Sequence, residues 1–209
     1  MKKSTVLFGI MLLTTVIYVF AQNIIFTIID VNTGDNHILA STVVSVVYVL
    51  LSLVLPMVII FGIKSQKPLN RFAYGLIGFS ITSIVYYIVR NNVLLGDEPI
   101  PNYVVSTLFL IVLTAIYLAL IGYMVYQLYL YWKDETNTFV KFNLVLIVVS
   151  LTYNLQVFNI LRYKYLSTVS ISALRLYTDV TMFVMIVLQF LSALMVYTLA
   201  LKNEENVSN

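Results

Sequence analysis

Six long apolar stretches occupy nearly the whole chain, and short polar segments separate them. Each stretch is about as long as a helix needs to cross a hydrocarbon core of roughly 30 Å. The apolar residues run continuously instead of alternating with polar ones, which favours helices over barrel strands. The six predicted spans are residues 5–29, 41–63, 72–89, 103–132, 139–161 and 178–201. We therefore predict an all-α, polytopic integral membrane protein, a compact bundle of six transmembrane helices that forms a single domain.

The composition supports this prediction. Hydrophobic residues make up 61% of the 209 residues, and charged residues only 10%. A water-soluble globule of this size would have too few polar groups to cover its surface, so the lipid bilayer must cover it. The short connections make consecutive helices antiparallel neighbours within the bundle.

The basic residues predict the orientation. With the N-terminus inside, eight of the twelve lie on the inner side, and the four outer ones are Arg90, Arg162, Lys164 and Arg175. The positive-inside rule then places both termini in the cytoplasm and the protein in the cell membrane. The net charge of +3 does not indicate nucleic-acid binding, because the basic residues form no patch between aromatic residues.

An alternative concerns the N-terminus. Lys2, Lys3, the apolar run after them and Val19-Phe20-Ala21 resemble a signal peptide with its cleavage site. Cleavage would leave five spans. Because the apolar run continues through residues 23–29, it is too long for the core of a signal peptide, and we favour six spans.

Local features refine the predicted helices. Pro56 lacks an N–H and crowds the carbonyl of Ser52, which predicts a kink in the second span. Gly75 and Gly78 would let a neighbouring helix approach the third span closely. The end of the fourth span predicts an aromatic belt at the inner interface, formed by Tyr123, Tyr126, Tyr129, Tyr131 and Trp132.

Polar residues within the predicted spans gather toward the outer side, whereas Ile, Leu, Val and Met dominate the inner halves. Helical spacing predicts two polar stripes, Ser80, Ser83, Tyr87 and Asn91 on the third span and Thr152, Gln156, Asn159 and Tyr163 on the fifth. Amides without partners are costly in hydrocarbon, so the stripes should face protein or trapped water. We predict an outward-open polar pocket above a dry plug; the alternative is simple hydrogen bonding between adjacent helices.

Charged residues lie at the predicted mouth of this pocket. An ion pair between Asp179 and either Arg90 or Arg162 would leave one guanidinium to hold a carboxylate or a phosphate. The N-terminus of the sixth helix would add partial positive charge there. We therefore favour an anionic or zwitterionic ligand such as a lipid headgroup. The predicted ligand-binding residues are Tyr87, Arg90, Asn91, Gln156, Asn159, Arg162 and Asp179.

The sequence argues against catalysis. His37 is the single histidine, cysteine is absent, and no G-x-S-x-G turn or phosphate-binding loop occurs. We expect no enzymatic activity, no metal and no cofactor. The acidic pairs Asp134-Glu135 and Glu204-Glu205 are predicted to be solvated, with contact to a cytoplasmic partner as the alternative.

Two functions remain open. The first is a non-enzymatic membrane protein that binds a small or amphiphilic ligand in the polar pocket, as a transporter or a transport-accessory subunit with an ATPase as a candidate partner. The second is an immunity, regulatory or sensor-like subunit that acts through a partner membrane protein. The six-span architecture alone does not distinguish these functions.

Overall fold

The computed structural model describes the backbone of residues 2–31, 47, 50–63, 66–89, 103–153 and 171–208. Side chains are described for residues 2–21, 47, 50–63, 66–86, 108–109, 111–152, 180 and 183–206. Throughout these residues the regular secondary structure is helical.

The described part of the chain contains six α-helices. They are α1 (Lys3–Val31), α2 (Val54–Met57), α3 (Lys67–Val89), α4 (Tyr103–Asp134), α5 (Thr138–Tyr153) and α6 (Ile171–Ser208). Among the described residues, three stretches are long and apolar enough to cross a membrane, Lys3–Ala21, Ile111–Asp134 and Phe183–Asn206. Large apolar side chains also cover the outside, with Phe61 78% and Phe183 67% exposed. These features indicate a helical, multi-pass membrane protein, because water would penalise so apolar a surface.

Two helices extend at least five residues beyond their predicted spans. α3 begins at Lys67, five residues before the predicted start at Phe72. Pro68 is tolerated in the first turn, because N–H groups there have no partner within the helix and the missing N–H of proline costs no hydrogen bond. α6 begins at Ile171 and ends at Ser208, whereas the predicted span covered residues 178–201. Its added turns contain charged residues, which is why the apolar pattern excluded them, but they also contain good helix formers such as Leu and Arg.

The helices form a closed ring. α1 packs most extensively against α6, and α3 against α4. Further contacts join α2 to both α1 and α3, and α5 to both α4 and α6. We call the end of this ring where α1 begins and α6 ends the terminal end. Because α1 and α6 are neighbours, the two ends of the chain meet there.

The half of the ring nearest the terminal end is densely packed. The side chains that are almost completely removed from solvent include Ile59, Leu69, Phe72, Met124, Leu144 and Met195. Gly75 brings α3 close to α4, since a Cβ atom at Gly75 would lie 2.5 Å from Cγ of Met124. The predicted packing role of Gly75 is thereby confirmed.

The helix that contains Pro56 is irregular. Leu53 N–H donates to the carbonyl of Leu50, three residues back, over 3.1 Å. Pro56 has no N–H to continue the ladder, and a π-helical segment, Val58–Gly62, follows α2 directly. This π segment contacts α6 across the ring as well as α3, and Leu7 of α1 lies against Gly62. It therefore helps to fill the centre of the terminal end.

A buried carboxylate joins α4, α5 and α6 at the terminal end. Glu135, in the connection after α4, accepts hydrogen bonds from the Tyr131 hydroxyl at 2.6 Å and the Asn137 N–H at 2.9 Å. The ammonium group of Lys202 in α6 donates to it at 3.0 Å. Asn137 also caps α5, since its Oδ1 accepts the N–H of Phe139.

This environment sets the charge of Glu135. Its side chain is only 2% exposed, and desolvation opposes ionisation. The hydrogen bonds from Tyr131, Asn137 and Lys202 outweigh that effect and lower the pKa of Glu135 from 4.5 to about 2. The prediction that Glu135 is solvated is therefore wrong. The same contacts bury Tyr131, which for this reason does not belong to the exposed aromatic belt.

A second carboxylate ties the chain ends together. Oε1 of Glu204 in α6 accepts the Ser4 N–H at 2.8 Å, and its Oε2 accepts the Ser4 hydroxyl at 3.0 Å. A carboxylate at the start of α1 also complements the positive end of that helix dipole. Glu204 thus has a structural role, whereas the sequence predicts only a solvated acid.

Candidate functional site

A central cavity of about 360 Å³ lies inside the ring of helices. All six helices contribute to its lining. This volume is within the range of roughly 300–1,000 Å³ that small-molecule sites occupy. The cavity is therefore the candidate functional site.

The cavity begins where the dense core of the terminal end stops. Its lining on α1 runs from Met11 to Tyr18, on α3 from Leu76 to Tyr86, and on α6 from Ser192 back to Met185. Seven residues of helix correspond to about 10 Å, so the cavity extends over roughly two helical turns. The apolar core closes the cavity toward the terminal end.

Hydrogen bonds between helices shape the wall on the α3 side. The hydroxyls of Ser52 and Ser80 are 2.8 Å apart and join the segment before α2 to α3. The Tyr117 hydroxyl of α4 donates to Oγ of Ser83 at 3.0 Å. The Tyr117 ring also packs against Phe79, with 4.7 Å between ring centroids. These contacts hold α2, α3 and α4 in fixed positions around the cavity.

Other hydroxyls of the lining donate to the backbone of their own helix. Thr15 donates to the carbonyl of Met11 at 3.1 Å, and Ser192 to that of Leu188 at 2.9 Å. Thr14 does the same on α1. A hydroxyl has one proton and two lone pairs, so these side chains keep acceptor capacity after their proton is used.

Gln189 is the single amide side chain in the described lining. Its Oε1 atom is buried and has no hydrogen-bond partner among the described residues. Buried polar atoms are nearly always paired in folded proteins, so an orphan acceptor beside a cavity calls for an explanation. A bound molecule that donates a hydrogen bond would supply one.

The described lining carries no ionisable charge at neutral pH, since it consists of aliphatic, aromatic, hydroxyl, thioether and amide side chains. Three charged residues of the described part, Glu135, Lys202 and Glu204, instead form hydrogen bonds at the terminal end. The described lining is thus mainly apolar, with uncharged hydroxyl and amide groups among the apolar side chains. The cavity can hydrogen-bond a guest, and its walls can also pack apolar groups.

The predicted ligand-binding residues fall largely outside the described residues. Tyr87 lies in α3 next to the cavity residue Tyr86, and Asp179 lies in α6 six residues before Met185, but the side chains of both are outside the described set. The remaining predicted residues are outside it altogether, namely Arg90, Asn91, Gln156, Asn159 and Arg162.

Of the two predicted polar stripes, the one on the third span contributes described residues to the cavity, and the one on the fifth span does not. Ser80 and Ser83 of the third-span stripe line the cavity. Thr152 of the fifth-span stripe does not, and the cavity residues on α5 are Ile147, Ser150 and Leu151. The other residues of this stripe, Gln156, Asn159 and Tyr163, lie outside the described residues, so the orientation predicted for the fifth span stays a prediction.

Sequence reasoning missed the contributions of α1, α4 and α6. Their cavity residues include Thr14, Tyr18, Tyr117, Gln189 and Ser192. A signal was present, because Thr14 and Tyr18 are four residues apart and Gln189 and Ser192 three apart within apolar runs. Single hydroxyls in membrane helices commonly bond their own backbone, which makes such pairs weak predictors.

Comparison with known proteins provides no relative: no family model, no curated protein and no solved structure matches the chain.

Proposed function

We propose that this protein is a non-enzymatic multi-pass membrane protein that binds a small or amphiphilic ligand in the central cavity, as a transporter or a transport-accessory subunit. In this proposal all six helices cross the membrane, both termini are cytoplasmic, and the cavity faces outward. The positive-inside count supports this orientation, since the terminal end carries most of the basic residues.

The observation that carries the proposal is a cavity to which all six described helices contribute, and whose described lining contains hydroxyl groups and no charge. A bundle stabilised only by helix packing would gain dispersion energy by filling this space. A cavity with hydroxyls and an amide is instead suited to holding a polar molecule or water. Proteins commonly place ligand sites between the helices of a bundle.

The terminal end supports a one-sided site. Its packed core and the two carboxylates, Glu135 and Glu204, hold the helices together on that side. A ligand would therefore enter from the opposite end. The topology predicted from the sequence places Arg90 and Arg162 at that end. The anionic character of the ligand depends on those two arginines and stays a prediction.

The alternative function, a regulatory or immunity subunit acting through a partner membrane protein, makes a different prediction. In that case the outer helix surfaces carry the activity, and filling the cavity has no functional effect. The contribution of all six helices to one cavity favours ligand binding over this alternative.

A cavity-filling substitution tests the proposal. Thr15 lines the cavity, whereas Leu13 on the same helix is 59% exposed on the outer surface. The wild type, Thr15→Phe and Leu13→Phe are purified from the native membrane in lipid nanodiscs, and extracted small molecules are compared by mass spectrometry. We expect a molecule that accompanies the wild type and Leu13→Phe and is depleted in Thr15→Phe. Identical extracts from all three proteins would refute ligand binding in the cavity.

A further inference from the structure

Several hydroxyl groups of the cavity have already used their hydrogen-bond donor within the protein. Thr14, Thr15 and Ser192 each give their hydroxyl proton to a carbonyl of their own helix. What these groups can still offer a guest is oxygen lone pairs. On these three side chains the cavity is therefore a hydrogen-bond acceptor.

Two further residues of the lining, Ser83 and Gln189, also offer acceptor atoms. Ser83 also donates its proton to its own helix, to the carbonyl of Phe79 at 2.9 Å. Oε1 of Gln189 is a buried acceptor without a partner among the described residues. The described lining has no Lys, Arg or His side chain that could donate to an anion.

The absence of acidic groups from the described lining restricts the ligand further. A cation in the cavity would have no carboxylate among the described lining residues to balance it, and burying an unpaired charge is more costly than burying a neutral polar group. Oxygen acceptors without counter-charges are best matched by neutral N–H or O–H groups. The aromatic wall formed by Phe79 and Tyr117 would pack against an apolar or planar part of the same molecule.

From these observations we infer that the central cavity selects an uncharged ligand that donates hydrogen bonds, with Gln189 as one of the acceptors. This inference rests on the proposed function, because it specifies the ligand class of the same cavity. It differs from the sequence-based expectation of an anionic ligand, which depends on residues at the predicted mouth.

Three nearly isosteric probes separate these ligand classes. Benzamide is neutral and has two N–H donors, acetophenone replaces the amide nitrogen by a methyl group, and benzoate replaces it by a charged oxygen. Binding of each probe to the wild type in lipid nanodiscs is measured by titration calorimetry, with empty nanodiscs as the blank. We expect benzamide to bind about tenfold more tightly than acetophenone, equal to about 1.4 kcal/mol, and benzoate to bind most weakly.

Two glutamine variants locate the acceptor. Gln189→Leu should reduce the preference for benzamide over acetophenone. Gln127→Leu is the matched control, because Gln127 is also buried with an unpartnered Oε1 but does not line the cavity. An undiminished preference in Gln189→Leu would contradict the role of this residue.

The outcomes separate the inference from the proposed function. Acetophenone or benzoate binding as tightly as benzamide would overturn the ligand class, while cavity binding would stand. If no probe binds the wild type more tightly than it binds Thr15→Phe, the proposed function fails and the inference fails with it.

Discussion

The two carboxylates at the terminal end and the amide in the central cavity differ in their hydrogen bonding. At the terminal end, Glu135 accepts three donors and Glu204 accepts two from Ser4. In the cavity, Oε1 of Gln189 has no hydrogen-bond partner among the described residues. The hydroxyls of Thr15 and Ser192 donate to backbone carbonyls of their own helices. Satisfied groups hold a structure together, whereas unsatisfied acceptors beside a cavity raise the free energy of the empty protein and can favour a guest. This comparison links Glu135 and Glu204 to stability and Gln189 to binding. Outside the cavity, Gln127 Oε1 and Asn203 Nδ2 are also buried without a partner among the described residues.

The largest expected effect is at Glu135. Glu135→Ala should destabilise the protein by about 3 kcal/mol, because it leaves the Tyr131 hydroxyl and the Asn137 N–H without their acceptor. Lys202→Ala should cost less than about 1 kcal/mol, since the Lys202 side chain is 47% exposed and its removal lets water hydrogen-bond to Glu135 in place of the ammonium group. Thermal or denaturant unfolding in detergent measures both. Equal effects of the two substitutions would show that Glu135 is not the centre of the terminal end.

A packing change in the same region should come next. Gly75→Ala would place a Cβ atom against Met124, which is fully buried, and should cost about 2 kcal/mol. Gly122→Ala on α4 is the control, because its added Cβ would meet no described atom within 4 Å apart from the nearby backbone of α4 itself. Alanine there should be neutral or stabilise by up to about 1 kcal/mol. Unfolding measurements that rank Gly122→Ala as the more damaging change would contradict the close contact between α3 and α4.

The charge of Glu135 predicts a dependence of stability on pH. Because folding lowers the pKa of Glu135 from 4.5 to about 2, its contribution is present above pH 4.5 and is lost as the pH falls from 4.5 toward 2. After allowance for solvent screening around Lys202, the loss should be about 1–2 kcal/mol. Melting temperatures of the wild type and Glu135→Gln across this window provide the measurement. Parallel curves for the two proteins would refute a carboxylate that folding holds ionised.

The smallest effect should have the opposite sign. Gln189→Leu removes an unpaired buried acceptor from the cavity and should stabilise the empty protein by about 1 kcal/mol. Binding residues often reduce stability in this way, because function requires groups that the fold leaves unsatisfied. Unfolding without added ligand measures the change. Strong destabilisation would mean that the amide has a structural role and would remove the contrast with Glu135.

The sequence predicts the part of this fold that depends on local composition. Apolar runs long enough to span a bilayer locate the long helices α1, α4 and α6, and a spacing of three residues identifies Ser80 and Ser83 on the cavity side of α3. Both signals arise within one helix, so they can be detected in a single sequence without knowledge of the tertiary contacts. The additional polar turns at the ends of α3 and α6 lie outside what an apolar pattern can reveal.

The sequence does not predict pairings between distant segments. The sequence predicts a solvated loop residue at Glu135, because its ammonium partner, Lys202, lies 67 positions away. Ser4 and Glu204 are 200 positions apart. The inclusion of Gln189 in the cavity likewise depends on how α6 is rotated within the ring, which packing against α1 and α5 determines. Such contacts exist only once the ring is closed.

The most direct test of a water-accessible cavity above a closed terminal end is thiol labelling. The chain contains no cysteine, so single substitutions report one position each. Ser83→Cys lies in the cavity, Ala193→Cys in the fully buried core, and Leu118→Cys on the 55% exposed outer face that lipid would cover. A membrane-impermeant methanethiosulfonate reagent, which reacts with the hydrated thiolate, is added outside sealed cells. We predict rapid labelling of Ser83→Cys and little at the other two positions, whereas equally slow labelling at all three would contradict an outward-facing cavity.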